Sequence, residues 1–292
     1  QAVTAHAPTM STTTIEIVGT GRRPGMRTSL VSDHEAKQPL CCCDAGLVTF
    51  EIMAARSEWF DRMSTIAADG GSPDADVAHL AFVDAHGRLM VAVDGDEVIG
   101  FGGTTPAHGV HMITDLFVAA SHRVRGVGTA LLSALLDGAS AAFTFSSTSP
   151  AALAVYTRAG LGASWPLLTM RGVANGGGEL LASGEWRHDR PEIAEHVLTQ
   201  HGWCTGDVLV SRSGDFVRVL RMVGDSAPDD ALSTLMAGFA VGADVELSVP
   251  AHSPALAWLM LHGFRIVDVD IFCSTGDVTL PERLWVVHRG LC

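Results

Sequence analysis

An apolar strand that runs into a glycine-bearing loop and then an apolar helix constrains this chain most. Leu116, Phe117 and Val118 end the apolar run. Arg123, Val124, Arg125, Gly126, Val127, Gly128 and Thr129 follow, and Ala130, Leu131 and Leu132 continue as a helix. Glycine lets a backbone turn tightly and approach a ligand closely. The first N–H groups of a helix have no intrahelical partner, and with the helix dipole they cradle an anion. Arg123 and Arg125 add positive charge beside them. The loop reads as a site for the diphosphate of a nucleotide-bearing cofactor. Two other phosphate loops do not fit. A dinucleotide fold wants a third glycine where Leu131 stands, and a P-loop wants Gly-Lys-Ser/Thr, which is absent.

Another segment extends the argument. Residues 141–147 read as a short strand, and Ser149-Pro150-Ala151-Ala152-Leu153-Ala154-Val155-Tyr156-Thr157-Arg158-Ala159-Gly160-Leu161 as a helix with its C-terminal glycine. The glycine loop resembles the R/Q-x-x-G-x-G/A loop of the GCN5-related N-acetyltransferase (GNAT) superfamily. The Tyr156 segment is similar to that superfamily's N-x-x-A-x-x-x-Y-x-x-x-G-F helix. The resemblance implies an α/β (α+β) fold with central strands splayed to hold acetyl-CoA. It implies that backbone groups of Leu116, Phe117 and Val118 hold the pantetheine arm. The pyrophosphate would lie on Arg123, Val124, Arg125, Gly126, Val127, Gly128 and Thr129. Tyr156, the sole tyrosine of the chain, stands in the slot of the residue that protonates the leaving thiolate. Ser149 stands where the superfamily has asparagine, and its hydroxyl can still donate one hydrogen bond to the arm.

Acetylation of an amine needs a neutral nitrogen, so a base or a water chain must remove its proton. Asp115 and His111 are candidate bases on the central strand. Strand alternation puts both on the face of Phe117. A bulge, frequent in that strand of the superfamily, would break the parity.

The net charge is −13, with only 19 Lys and Arg along 292 residues. Nucleic-acid binding needs clustered cations, so that class is excluded. An acidic surface suits a cationic amine as well as mere solubility. The six cysteines, Cys41, Cys42, Cys43, Cys204, Cys273 and Cys292, form no C-x-x-C pair and no metal-ligand spacing. They read as free thiols of a reducing, cytoplasmic protein. No stretch approaches the roughly 20 apolar residues of a membrane span. The start shows no basic-then-apolar leader, and Met10 is a candidate natural start.

Residues 1–45 read as a poorly structured lead-in with a short strand at 14–18. An acetyltransferase unit is expected over 46–175: strand 48–52, helices 54–67 and 74–83, a hairpin of 88–93 and 97–104, and central strand 110–118. Helix 129–137, strand 142–147, helix 150–159 and strand 167–171 complete it. A related unit is expected over 176–292. His252-Ser253-Pro254-Ala255-Leu256-Ala257-Trp258-Leu259-Met260-Leu261-His262-Gly263-Phe264 repeats the Tyr156 segment, and 103 residues separate Gly160 from Gly263. Such self-similarity argues for duplication. Strands 244–249 and 264–272 flank the repeat. The copy is degenerate: Arg123 to Gly128 fall on Ser226-Ala227-Pro228-Asp229-Asp230-Ala231, and the Tyr156 slot holds Leu259. Two GNAT-like mixed sheets are therefore expected, one active and one vestigial.

The expected activity is acetyl-CoA-dependent transfer to the primary amine of a small molecule, by a monomer or homodimer without metal, membrane or nucleic acid. A non-catalytic CoA-binding or interaction module is the alternative. The intact loop and Tyr156 favour the enzyme, and Ser149 favours the module.

Overall fold

The computed structural model describes residues 13–15, 49–177, 183–224 and 227–292. Cys41, Cys42 and Cys43, most of the expected lead-in, Gly178 and Ser226 lie outside the described residues. The first half runs β1 (Thr13–Ile15), β2 (Phe50–Ala54), α1 (Phe60–Asp69), α2 (Val77–His86), β3 (Arg88–Asp94), β4 (Glu97–Ala107), β5 (Val110–Val118), α3 (Val127–Leu136), β6 (Ala142–Ser147), α4 (Pro150–Arg158) and β7 (Gly162–Val173). The second runs α5 (Pro191–Thr199), β8 (Trp203–Cys204), β9 (Val208–Ser213), β10 (Phe216–Val223), α6 (Pro228–Gly238), β11 (Asp244–Pro250), α7 (Ala255–Leu261), β12 (Arg265–Ser274) and β13 (Leu284–Val287).

Alternation along the strands decides which helix lies on which face. On β3, Leu89, Val91 and Val93 pack with Phe60, Met63, Leu80 and Val83 of α1 and α2. Met90 and Ala92 pack with Val127, Ala130 and Leu131 of α3. Both faces are covered, so β4 is buried almost throughout. Its glycines let the helices come close. A Cβ at Gly102 would stand 2.7 Å from Leu135 of α3, and one at Gly103 would stand 2.7 Å from Val83 of α2. The core also crosses between the halves, because Ile193, Ala194 and Val197 of α5 join the α1–α2 cluster.

The two expected mixed sheets are hydrogen-bonded into one. Its order is β1-β2-β3-β4-β5-β6-β12-β7-β11-β10-β9-β8, with β13 on β10. The strand after each repeated helix has crossed into the other half. Thus β12 pairs with β6, β7 pairs with β11, and β7 and β12 pair antiparallel with each other. The registers repeat at the spacing seen in the sequence. Ser147 opposite Asp270 matches Pro250 opposite Leu167, and Leu167 sits opposite Asp270, its own counterpart, on the local two-fold axis. Aromatic rings lock the exchange. Trp165 of β7 stacks on Phe272 of β12 at 4.4 Å, and Phe145 of β6 packs on both.

Two gaps between parallel strands result, and they differ. The parallel pair β5–β6 holds only at His111–Ala142 and Met112–Phe143, beyond which the strands part. The counterpart pair β10–β11 holds for four residues, Phe216 to Val219. Beyond it β13 pairs with β10 from Arg221 to Val223 and lies against β11. The chain itself fills the second gap. The sequence pattern assigned no element between 178 and 243, where α5, β8, β9, β10 and α6 form.

Residues 46–175 alone would lack β12, leaving β6 and β7 as unpaired edges that invite aggregation. Full-length protein should unfold in one thermal transition by circular dichroism. The 46–175 fragment should elute aggregated, or show no cooperative transition. A monomeric, cooperatively folding fragment would show that the halves are independent.

Candidate active site

β5 carries the first wall of the open gap. Gly103 sits opposite Asp115 but Thr104 opposite Ile113, so Thr114 is an extra, bulged residue. The bulge resets the alternation, as such insertions do. His111 is exposed and lies at the end still paired with β6. Asp115 is 5% exposed, so it is no solvated edge residue. Beyond the bulge Leu116, Phe117 and Val118 pair only with β4. Their other backbone edge faces the gap and needs partners.

The glycine loop follows. A short 3-10 turn, Ala120–His122, leads to Arg123, whose Nε donates to the Val118 carbonyl at 3.1 Å. Val124 is fully exposed with φ 58°. Gly126 has φ 84° and caps α3, a conformation that favours glycine. The helix thus starts at Val127, two residues before the expected 129. Its first internal bond runs from the Ala130 N–H to the Gly126 carbonyl. No side chain caps it, so Val127, Gly128 and Thr129 have N–H groups to offer a ligand. A Cβ at Gly128 would meet only Val118, at 3.6 Å. Packing does not require that glycine; an approaching ligand would.

The opposite wall comes from β6 and α4. Thr144 donates its hydroxyl to the Ile113 carbonyl at 3.0 Å, bridging the strands where they part. Tyr156 is 7% exposed, and burial raises its pKa although the Thr144 hydroxyl works the other way. Ser149 is exposed at the start of α4, and its hydroxyl makes no capping bond.

A cavity of ≈ 270 Å³ lies where these walls meet, lined by Asp115, Leu116, Phe117, Thr144 and Tyr156. Its far side comes from elements that the sequence pattern did not connect to the site. Asp74 precedes α2, Asp268 and Asp270 lie on β12, and His288 and Arg289 follow β13. Two carboxylates at alternate positions of an otherwise apolar strand were the one legible signal. His79 of α2 donates its Nε2–H to Asp115 Oδ2 at 2.9 Å. Burial opposes both charges, yet each holds the other ionised. Asp115 lies below its ordinary pKa of 3.8, and His79 above 6.5. Burial and the Arg218 charge push His288 down to about 3, so it is neutral at pH 7.

A larger cavity of ≈ 950 Å³ lies in the second half, beside Gly224 and the start of α6. None of the expected site residues lines it, and Asp229 and Asp230 occupy the first turn of α6. These carboxylates repel an anion, so size does not identify the site here. Leu259 of α7, the counterpart of Tyr156, is wholly buried in core. Among the described residues no cluster of His, Cys, Asp and Glu could hold a metal ion. No helix there is long and apolar enough to cross a membrane.

Residues 53–161 match the acetyltransferase (GNAT) family. No curated protein matches the chain. Solved structures share the fold at low identity. A candidate acetyltransferase from Pyrococcus horikoshii is 15% identical with a TM-score of 0.67, over 89% of this chain and 99% of that one. A GCN5-related N-acetyltransferase from Sphaerobacter thermophilus is 14% identical with a TM-score of 0.55, over 79% and 98%. A tandem GNAT protein from the clavulanic acid biosynthesis pathway is 15% identical with a TM-score of 0.52, over 80% and 100%.

The His79–Asp115 pair sets a pH window. His79, raised in the fold, stabilises fully below its unfolded value of 6.5 and loses this as pH rises through its folded value. Asp115, lowered, stabilises above 3.8 and loses this as pH falls through its folded value. The pair therefore contributes most between these values. His79→Gln should lose about 3–5 kcal/mol near pH 5.5, the usual cost of orphaning one buried charge. The gap in melting temperature should narrow toward pH 9. A pH-independent gap would mean that His79 is neutral in the fold.

Proposed function

We propose that this chain, whose residues 53–161 match the acetyltransferase (GNAT) family, transfers acetyl from acetyl-CoA directly to the primary amine of a small molecule, with Tyr156 as general acid. The observation that carries this reading is the parting of β5 and β6 over a cavity lined by both Asp115 and Tyr156. Acetyl-CoA fits the residues present. Val127, Gly128 and Thr129 offer N–H groups to the pyrophosphate. The free edge of Leu116, Phe117 and Val118 offers partners to the pantetheine amides.

The thioester is already activated, so the protein chiefly positions it. Asp115 receives the acceptor's ammonium and passes one proton to solvent, while His79 keeps the carboxylate ionised and oriented. The neutral nitrogen attacks the thioester carbonyl, with backbone N–H groups of β5 stabilising the developing oxyanion. The C–S bond breaks, and Tyr156 gives its proton to the departing sulfur. The proton that nitrogen sheds as the amide forms restores the phenol. A phenol whose pKa burial raises stays protonated until that thiolate forms.

The second half is read as non-catalytic. Its gap is filled by β13, its tyrosine slot holds Leu259, and its helix start is acidic. The buried, unpaired Cys204, Cys273 and Cys292 support a cytoplasmic setting.

Two substitutions test the reading. Gly128→Asp puts a carboxylate in the first turn of α3, where the dipole favours it. Thermal stability should hold or rise slightly, while calorimetry should show acetyl-CoA binding abolished. Normal affinity would remove the cradle. Tyr156→Phe keeps the ring and removes the hydroxyl. Turnover, read as free thiol release, should fall roughly 10²–10⁴-fold in kcat and kcat/KM together. An unchanged kcat would return Tyr156 to a packing role.

A further inference from the structure

The cavity lining contributed by β12, Asp74 and the residues after β13 holds a surplus of negative charge, and the charges can be matched one by one. Asp115 is matched by His79 at 2.9 Å. Asp74 is matched by Arg218 at 2.8 Å. Glu246, in an adjoining cavity that shares Asp74, Asp268, His288 and Arg289 with the first, is matched by Arg171 at 2.7 Å and by Arg218 at 2.9 Å. Asp268 and Asp270 remain, with Arg289 as their cation. Arg289 stands 3.4 Å from Asp268, 3.6 Å from Asp270 and 3.9 Å from Asp74. One guanidinium, shared loosely among three carboxylates, leaves about one negative charge without a counterpart.

The deficit falls on Asp270. The residue is 3% exposed and lines the cavity, and its Oδ2 faces only Arg289, at 3.6 Å, longer than an ordinary hydrogen bond. A buried carboxylate oxygen without a donor is strongly unfavourable unless something supplies one. His288, which is neutral, brings no positive charge, and Arg289, at 3.6 Å, is shared with Asp268 and Asp74. A cationic donor arriving with the acceptor can.

This cation is not the reacting nitrogen. The nucleophile must lose its proton, and a buried carboxylate without a counter-cation of its own would hold it protonated, whereas the charge of Asp115 is balanced by His79. Asp270 suits a second ammonium that stays charged throughout. Resting on the acetyltransferase reading above, we infer that the acceptor is a diamine or polyamine. One nitrogen is acetylated beside Asp115 and Tyr156, and a second is held as an ammonium by Asp270 and Asp268. Both carboxylates lie on β12, the strand that the second half lends to the first. The degenerate half thereby supplies specificity in place of chemistry.

The test uses the full chain, acetyl-CoA and three acceptors of equal length: 1,4-diaminobutane, butylamine and 4-aminobutyrate. Free thiol release is the readout. The diamine should exceed butylamine in kcat/KM by about 10–100-fold, the worth of a charge-assisted hydrogen bond. The aminobutyrate, whose carboxylate would face Asp270, should be the poorest. Asp270→Asn, nearly isosteric, should raise KM for the diamine and bring the diamine-to-butylamine ratio toward one. Asp268→Asn should do so less, and a thermal melt of each variant checks the fold. Equal use of diamine and butylamine, preference for the aminobutyrate, or an Asp270→Asn enzyme with unaltered diamine KM would each overturn the inference. If no acceptor turns over, calorimetry of the diamine on acetyl-CoA-loaded protein decides, and absence of binding there also overturns it. Failure to bind acetyl-CoA at all would instead defeat the acetyltransferase reading.

Discussion

Antiparallel pairing of β7 with β12 holds the molecule together. Each strand leaves its own half after a repeated helix and enters the other, so that every hydrogen-bonded neighbour in the middle of the sheet comes from the opposite copy. Backbone groups buried there must be paired, and in this topology neither half can pair its own. The Trp165–Phe272 stack fixes the crossing point. Cohesion of the fold and the shape of the site thus depend on the same contact, because β12 carries Asp268 and Asp270 to the far wall of the cavity.

The duplicated architecture also gives the two halves different gaps. Two parallel strand pairs part at corresponding places. Between β5 and β6 the gap stays open, and a bulge at Thr114 turns Asp115 into it. Between β10 and β11 the gap takes β13 instead, and Trp285 closes over Gly224, where a Cβ would meet the ring at 2.2 Å. Filling a gap with the chain's own strand satisfies the same backbone groups that a pantetheine arm would otherwise satisfy. Free edge and filled edge are two solutions to one hydrogen-bonding problem.

Electrostatics then sorts the open cavity into regions. The start of α3 offers unpaired N–H groups and nearby arginines to an anion. The wall beyond Asp115 offers carboxylates to a cation. A chain of net charge −13 has placed much of the relevant charge where it can be used, and Arg218 and Arg289 keep most of it from being self-repulsive.

The sequence by itself determined many elements of the first half and the glycine turn before α3. Gly126 and Gly128 set between an apolar strand and an apolar helix specify a strand–turn–helix, since glycine alone adopts that turn freely and leaves the approach open. The bounds of β5 and β6 agree with the expected 110–118 and 142–147. The spacing between Gly160 and Gly263 reported the duplication. Tertiary structure alone decided the rest. No local pattern tells β7 to pair with β11 in place of β6, since both neighbours present the same apolar strand. The pattern Val-His-Met-Ile-Thr-Asp-Leu-Phe-Val does not alternate strictly and does not say which residue is the extra one, yet the bulge at Thr114 separates Asp115 from His111. His79, Asp270 and Arg289 meet Asp115 and Tyr156 across long stretches of chain. Long-range proximity depends on which strands pair, and hydrophobic period constrains a strand's faces without naming its neighbours.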